Sequence, residues 1–184
     1  LGCYGDGGAM FTNDDNLAEK MKMIANHGQN KRYYHKVTGC NSRLDSIQAA
    51  ILNVKLKYLD QYNLNREKMA KTYDTGFDDI EHLNIPHRSS NSTHVFHQYT
   101  LKTSAKYRDK VIQYLAEKEI PAMIYYPVPL YRQEAFSSYV PENYSIENIE
   151  KLCSSGFSLP IHSEKENSQQ DKVIDSVRSF FNSI

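Results

Sequence analysis

Apolar positions recur every three or four residues over several stretches of the chain, and those stretches are the helices the sequence predicts. The longest runs from residue 42 to about residue 74. Leu44, Ile47, Ile51, Val54 and Tyr58 form one stripe along it, no proline interrupts it, and its first glycine is Gly76. An unbroken helix of that length would extend roughly 50 Å at 1.5 Å per residue, long enough to bridge two domains. Ser42 with Asp45 reads as its capping box, after a tight polar bend at Gly39, Cys40 and Asn41. Such a start places Asn41, Ser42 and Arg43 where free N–H groups and the helix dipole favour an anion. The same residues can equally do no more than cap the helix.

The remaining elements follow from the same patterns. Gly5, Asp6, Gly7 and Gly8 lead into a short strand over 9–12. They match neither a dinucleotide fingerprint nor a P-loop, so tight entry to a strand is their reading. Thr12 or Asn13 caps a helix carrying Leu17, Met21 and Ile24, which Gly28 ends. Residues 27–36 are polar, aromatic and basic without periodicity. They form a surface loop, or one that receives a phosphorylated ligand.

Beyond residue 80 strands alternate with helices, which predicts a compact α/β domain. After a connection near 85–93, residues 95–103 alternate as a strand. A helix over 105–119 presents Tyr107, Val111 and Leu115, and stops at Ile120-Pro121. The β-type run 123–126 is broken by Pro127 and Pro129. That stiff segment holds Tyr125, Tyr126 and Tyr131 in fixed directions, toward a ligand or into packing. Ser145 caps a helix with Ile146, Ile149 and Leu152 facing inward, and 157–161 is a strand. Ser163 with Glu166 caps the last helix, whose buried stripe is Val173, Val177, Phe180 and Ile184.

Composition narrows the function classes. Lys plus Arg and Asp plus Glu both number 22 in 184 residues, against the basic surplus of a nucleic-acid or anionic-membrane binder. No apolar run is long enough to span a bilayer, and no signal peptide is visible. Cys3, Cys40 and Cys153 lack any paired spacing, so free thiols in a reducing cytoplasm are expected, with neither disulfide nor metal site. Fourteen tyrosines with no tryptophan suit interfaces and polar pockets. The start, Leu1-Gly2-Cys3-Tyr4, reads as the inside of a loop, and a fragment of a longer protein is expected.

Five stretches occur in a telling order: GCYGDGGAMFTNDDNLAEK, HGQNKRYYHKVTGCNSRLDSIQAAIL, THVFHQYTL, IPAMIYYPVPLY and FSLPIHSE. Together they resemble the C-terminal half of the DegT/DnrJ/StrS family of pyridoxal-phosphate-dependent sugar aminotransferases, over essentially the whole chain. The resemblance implies an α/β fold of the fold-type I class. Residues 1–60 would be the end of the large cofactor-binding domain with the start of the long helix, and 61–184 a small C-terminal α/β domain. It implies a cytoplasmic homodimer with active sites at the subunit interface, in which Asn41 reaches the cofactor phosphate of the neighbouring subunit. The family's H-Y-P-x-P-L segment, which contributes to the substrate pocket, reads here Tyr125-Tyr126-Pro127-Val128-Pro129-Leu130. A phenol titrating near 10 is a poor proton shuttle at neutral pH, so Tyr125 and Tyr126 are expected to position substrate. Arg32 is the candidate for a substrate phosphate or carboxylate.

The family's cofactor-anchoring lysine would lie two positions before Leu1, so no catalytic residue is expected within these residues, and this stretch alone is expected to be inactive. The function implied is transfer of an amino group, from glutamate, to a keto group of a nucleotide-linked sugar. Two alternatives remain at this point: a sugar dehydratase of the same family, and a non-catalytic dimerisation or binding module.

Overall fold

The first helix begins at an aspartate. In the computed structural model, which describes residues 1–141, 143–164 and 167–184, the Asp14 carboxylate accepts from the N–H groups of Asn16 (2.9 Å) and Leu17 (3.1 Å). Helix α1 therefore spans Asp15–Ala25, and its cap is Asp14 rather than Thr12 or Asn13. Thr12 instead accepts from the Asp14 N–H at 3.1 Å. The strand expected over 9–12 does not form; those residues join no sheet and lie exposed.

The chain divides into two compact units, residues 1–59 and 60–184. The first holds α1, a small antiparallel hairpin of β1 (Gln29–Lys31) and β2 (Tyr34–His35), and α2 (Ser46–Leu56). The hairpin lies where the sequence shows only an aperiodic loop. Pairs two or three residues long leave no alternation to read.

The long continuous helix is not observed. Its span holds two helices, α2 and α3 (Leu59–Phe77), separated at Lys57 and Tyr58. Neither glycine nor proline marks the break. The expected capping box is also absent, because α2 starts at Ser46 after Asp45, whose side chain makes no cap hydrogen bond. Of the stripe from Leu44 to Tyr58, none is buried, and Ile47 is 74% exposed.

The second unit is built on a three-stranded antiparallel sheet in the order β3 (Leu83–Asn84), β4 (Tyr99–Thr103), β5 (Gly156–Leu159). Along β4, Tyr99, Leu101 and Thr103 point inward, as the two-residue period requires. Tyr99 pairs with Leu159 and Leu101 with Phe157. Helix α4 (Ala105–Glu117) contributes Val111 and Leu115 to the core, with Tyr107 packed at its edge. Helix α3 contributes Tyr73 and Phe77, and the last helix, α6 (Asn167–Phe181), contributes Val173, Val177 and Phe180. Ile184 lies beyond α6 and is exposed.

Three sequence expectations shift here. Residues 95–98 are not strand, since Phe96 takes a left-handed backbone (φ 49°). Helix α5 (Glu147–Ser155) starts after Ile146 rather than Ser145, and its Leu152 is exposed rather than inward. The Ser163–Glu166 cap falls partly on Glu166, outside the described residues.

Candidate functional site

Asn41 is set in place by backbone, not by a helix start. At the end of α1 the Met23 carbonyl accepts from the Asn26 cap N–H at 3.1 Å, while those of Ile24 and Ala25 have no partner further along the helix. Gly28 N–H bonds to the Met23 carbonyl at 2.8 Å, with His27 (φ 59°) and Gly28 (φ 76°) turning left-handed, which is the outer bond of a Schellman ending. Its usual inner bond is replaced. The Ile24 carbonyl accepts from Cys40 N–H (2.9 Å), Ala25 from Ser42 (2.9 Å), and His27 N–H donates to the Cys40 carbonyl (2.9 Å). Asn41, flanked by two of these bonds, bridges Asn26.

The contact requires two residues without side chains. A Cβ on Gly39 would stand 2.3 Å from Gly28 N and 2.5 Å from the Ile24 carbonyl oxygen, and one on Gly28 only 1.7 Å from the Val37 carbonyl oxygen. The placement of Asn41, Ser42 and Arg43 at a helix N-terminus is thereby corrected. Helix α2 begins at Ser46, and Ser42 is tied to α1 instead.

The Asn41 side chain is exposed, and its Oδ1 accepts from Arg43 Nε at 3.1 Å. That leaves the amide NH2, with two donors, unengaged among the described residues. An amide and a guanidinium side by side form a donor pair suited to a phosphate. Arg43, which the sequence reading places only among the residues of an anion-favouring helix start, is thus a further candidate, two residues along the same motif.

Arg32 sits at the tip of the β1–β2 hairpin, its guanidinium 5.0 Å over the Tyr33 ring. The tip turns through Tyr33 at φ 68°, and Arg32 is exposed with its hydrogen-bonding groups available.

The tyrosines of 125–131 divide by role. The Tyr131 hydroxyl donates to Glu150 Oε1 (2.7 Å) and accepts from the Ile146 N–H (3.1 Å), while Arg132 Nε donates to the same carboxylate at 2.7 Å. Those hydrogen bonds, Tyr131's first, hold the Glu150 carboxyl below its usual range. Tyr131 is therefore a strap onto α5. Tyr125 and Tyr126 remain open to solvent, 43% and 72% exposed, with their rings edge-on at 5.9 Å. Tyr125 borders a cleft shared with His97 and Met123. Arg32 and Asn41 belong to the first unit, and Tyr125 and Tyr126 to the second. Among the described residues no three His, Cys, Asp or Glu side chains are grouped as metal ligands.

The model of the DegT/DnrJ/EryC1/StrS aminotransferase family matches residues 1–178. The chain belongs to this family. Among curated relatives, the pleiotropic regulatory protein of Geobacillus stearothermophilus is 41% identical over 98% of the chain and 49% of its own length. The dTDP-3-amino-3,4,6-trideoxy-alpha-D-glucose transaminase of Streptomyces venezuelae is 36% identical over 98% of the chain and 47% of its own length. The crystal structure of DesV from S. venezuelae superposes with a TM-score of 0.93 at 35% identity, across 98% of this chain and 48% of that one. The chain spans about half the length of the family relatives it matches. Its fold is that of the C-terminal part of a fold-type I aminotransferase, the α/β class expected from its motifs.

Proposed function

We propose that this chain works as the C-terminal half of a pyridoxal-phosphate-dependent aminotransferase that moves an amino group, from glutamate, to a keto group of a nucleotide-linked sugar. The observation that carries the reading is the family match along residues 1–178, joined to 36% identity with a relative named as a dTDP-sugar transaminase. In this reading residues 1–60 close a large cofactor-binding domain, residues 61–184 form the small one, and the protein is a cytoplasmic homodimer. Among the described residues no helix is long and apolar enough to cross a membrane.

The residues present fit the cofactor's phosphate. Asn41 offers an unengaged amide NH2, Arg43 a guanidinium beside it at 3.1 Å, and the glycine-tight backbone at 28 and 39 keeps that corner in place. These two side chains would hold the phosphate. When bound, pyridoxal phosphate supplies the electron sink for amino transfer, and its anchoring lysine belongs to the other half of the protein. Arg32 takes a substrate phosphate or carboxylate as a planar fork. Tyr125 and Tyr126 orient the sugar by hydrogen bonding through their exposed hydroxyls.

The test is an amino-transfer assay on the longer protein, from glutamate to a keto sugar nucleotide, with the cofactor followed by absorbance. Asn41→Ala is expected to weaken cofactor retention by about 1.5–3 kcal/mol, as for a hydrogen bond to a charged group. Undiminished retention would remove Asn41 from the site. The relative named as a regulatory protein is the reason to keep a non-catalytic module in view. That alternative predicts no transfer and no stabilisation by pyridoxal phosphate.

A further inference from the structure

Residues 124–128, which carry Tyr125 and Tyr126, make no hydrogen bond of their own among the described residues. They are held by what stands at either end. On one side Met123 exchanges both backbone hydrogen bonds with Ser158 of β5, at 3.0 and 2.7 Å. On the other the chain makes a short helical turn over Leu130–Arg132, and its side chains reach α5. The Tyr131 hydroxyl and Arg132 Nε both donate to Oε1 of Glu150, each at 2.7 Å. The tyrosine segment is thus an arch on two feet.

Both feet stand on one piece of chain. Helix α5 ends at Ser155 and β5 begins at Gly156, with no loop between them. The Gly156 N–H donates to the Leu152 carbonyl, and β5 is paired along its length with β4. Pro127 and Pro129, each with φ fixed near −65°, stiffen the stretch between Tyr126 and the second foot, so a displacement at Tyr131 is carried along it rather than absorbed. The two bonds to Glu150 are unequal. The Arg132 side chain is 50% exposed, and an ion pair open to water contributes little. The Tyr131 bond is partly buried; the same hydroxyl accepts from the Ile146 N–H at 3.1 Å, and its ring meets that of Tyr144 edge-on at 5.3 Å. Tyr131 is therefore what seats the second foot on Glu150.

We infer that Glu150 is a positioning residue: it touches no substrate itself, and through Tyr131 it sets the direction in which Tyr125 and Tyr126 face. The inference rests on the function proposed above and adds the residue on which the orientation of those two tyrosines depends. In the longer protein, Glu150→Ala and Tyr131→Phe are each expected to raise the KM for the keto sugar nucleotide about tenfold, as when the competent arrangement falls to about a tenth of the population. The KM for glutamate should stay at its wild-type value. Glu150→Gln keeps an acceptor oxygen in place and should restore the sugar-nucleotide KM. Glu150→Ala combined with Tyr131→Phe should be no worse than either alone, because both remove the same bond. A merely structural loss would move both KM values together and would add in the double variant. An unchanged sugar-nucleotide KM in Glu150→Ala, or a parallel change for glutamate, overturns the inference.

Should the wild-type protein transfer no amino group, the functional reading fails while the arch is tested separately. In the 184-residue chain with ring-labelled tyrosine, Glu150→Ala should shift the NMR signals of Tyr125 and Tyr126 and leave those of the core rings Tyr73 and Tyr99 in place. Glu150→Gln should bring the shifted signals back. Unmoved Tyr125 and Tyr126 signals, or a shift shared by all four rings, end the inference. If Glu150→Ala does not fold, Tyr131→Phe is read by the same signals.

Discussion

In residues 60–184, Tyr73, Phe77, Tyr99 and Phe157 are fully shut from solvent, while in residues 1–59, all of them described, the one buried residue is Gly28. Both regions carry apolar stripes at helical spacing. In the second, the stripes of α4 and α6 close on the sheet. In the first, Leu17, Ile24, Ile47 and Val54 are exposed. The difference teaches that periodicity says which face of a helix seeks cover and not what covers it. Under the proposed function the cover is the rest of a longer protein. Stability in these 184 residues is accordingly concentrated in one unit.

Substitutions can break or sharpen that contrast. The largest effect is expected from Phe157→Ala, which empties a fully buried ring position between β4 and the helices. A loss of about 3–5 kcal/mol in chemical denaturation is expected, as for other buried aromatics cut to alanine. Next is Gly39→Ala. Its new methyl has no space against Gly28 and Ile24, and a loss of about 1–3 kcal/mol is expected, typical of overpacking. Hydrogen exchange should show the Cys40 and Ser42 amides deprotected while Leu101 keeps its protection. Faster exchange at Leu101 as well would mean that the two units do not unfold separately.

A smaller effect comes from pH. The Arg178 hydrogen bonds to Asp79, at 2.6 and 2.7 Å, lower that carboxyl below its ordinary 3.8. A depressed carboxyl adds stability that is complete above its unfolded value and is lost as pH falls through the folded one. Acid titration below pH 3.8 should therefore weaken the second unit, and Asp79→Asn should flatten that slope. Equal slopes in the two proteins would show that the pair contributes nothing. The smallest effect belongs to Ile47→Ala, within about 0.5 kcal/mol in this chain because the side chain is already in water. A markedly larger loss in the longer protein would identify Ile47 as part of the covered face.

How much of this was legible follows from the kind of signal each element leaves. Helices α4 and α6 could be read because their apolar residues repeat and face a core within the same unit. The break between α2 and α3 could not, since Lys57 and Tyr58 are ordinary helix residues. The β1–β2 hairpin was hidden for a related reason: its tip turns through Tyr33 at φ 68°, where a glycine would have announced it. Within the candidate site, motif resemblance singled out Asn41, but its placement came out differently. Backbone bonds from Cys40 and Ser42 fix it, and main-chain pairing leaves no mark in side-chain spacing. Tyr131 could go to a ligand or to packing until the Glu150 contact assigned it to packing. Arg43 reads in the sequence only as part of an anion-favouring helix start, because its part here depends on lying beside the Asn41 amide.

The meeting of Gly28 with the stretch 37–39 also separates two kinds of variation. The Gly28 carbonyl accepts from the Lys36 N–H at 2.9 Å, so the hairpin leaves and re-enters the fold through one pinched neck. What lies beyond that neck, including Arg32, can lengthen, shorten or change its charge without shifting Asn41. The neck itself tolerates no added atom. A protein arranged this way can exchange its hairpin as a cassette and so alter what it reaches for, while the corner below stays as it was.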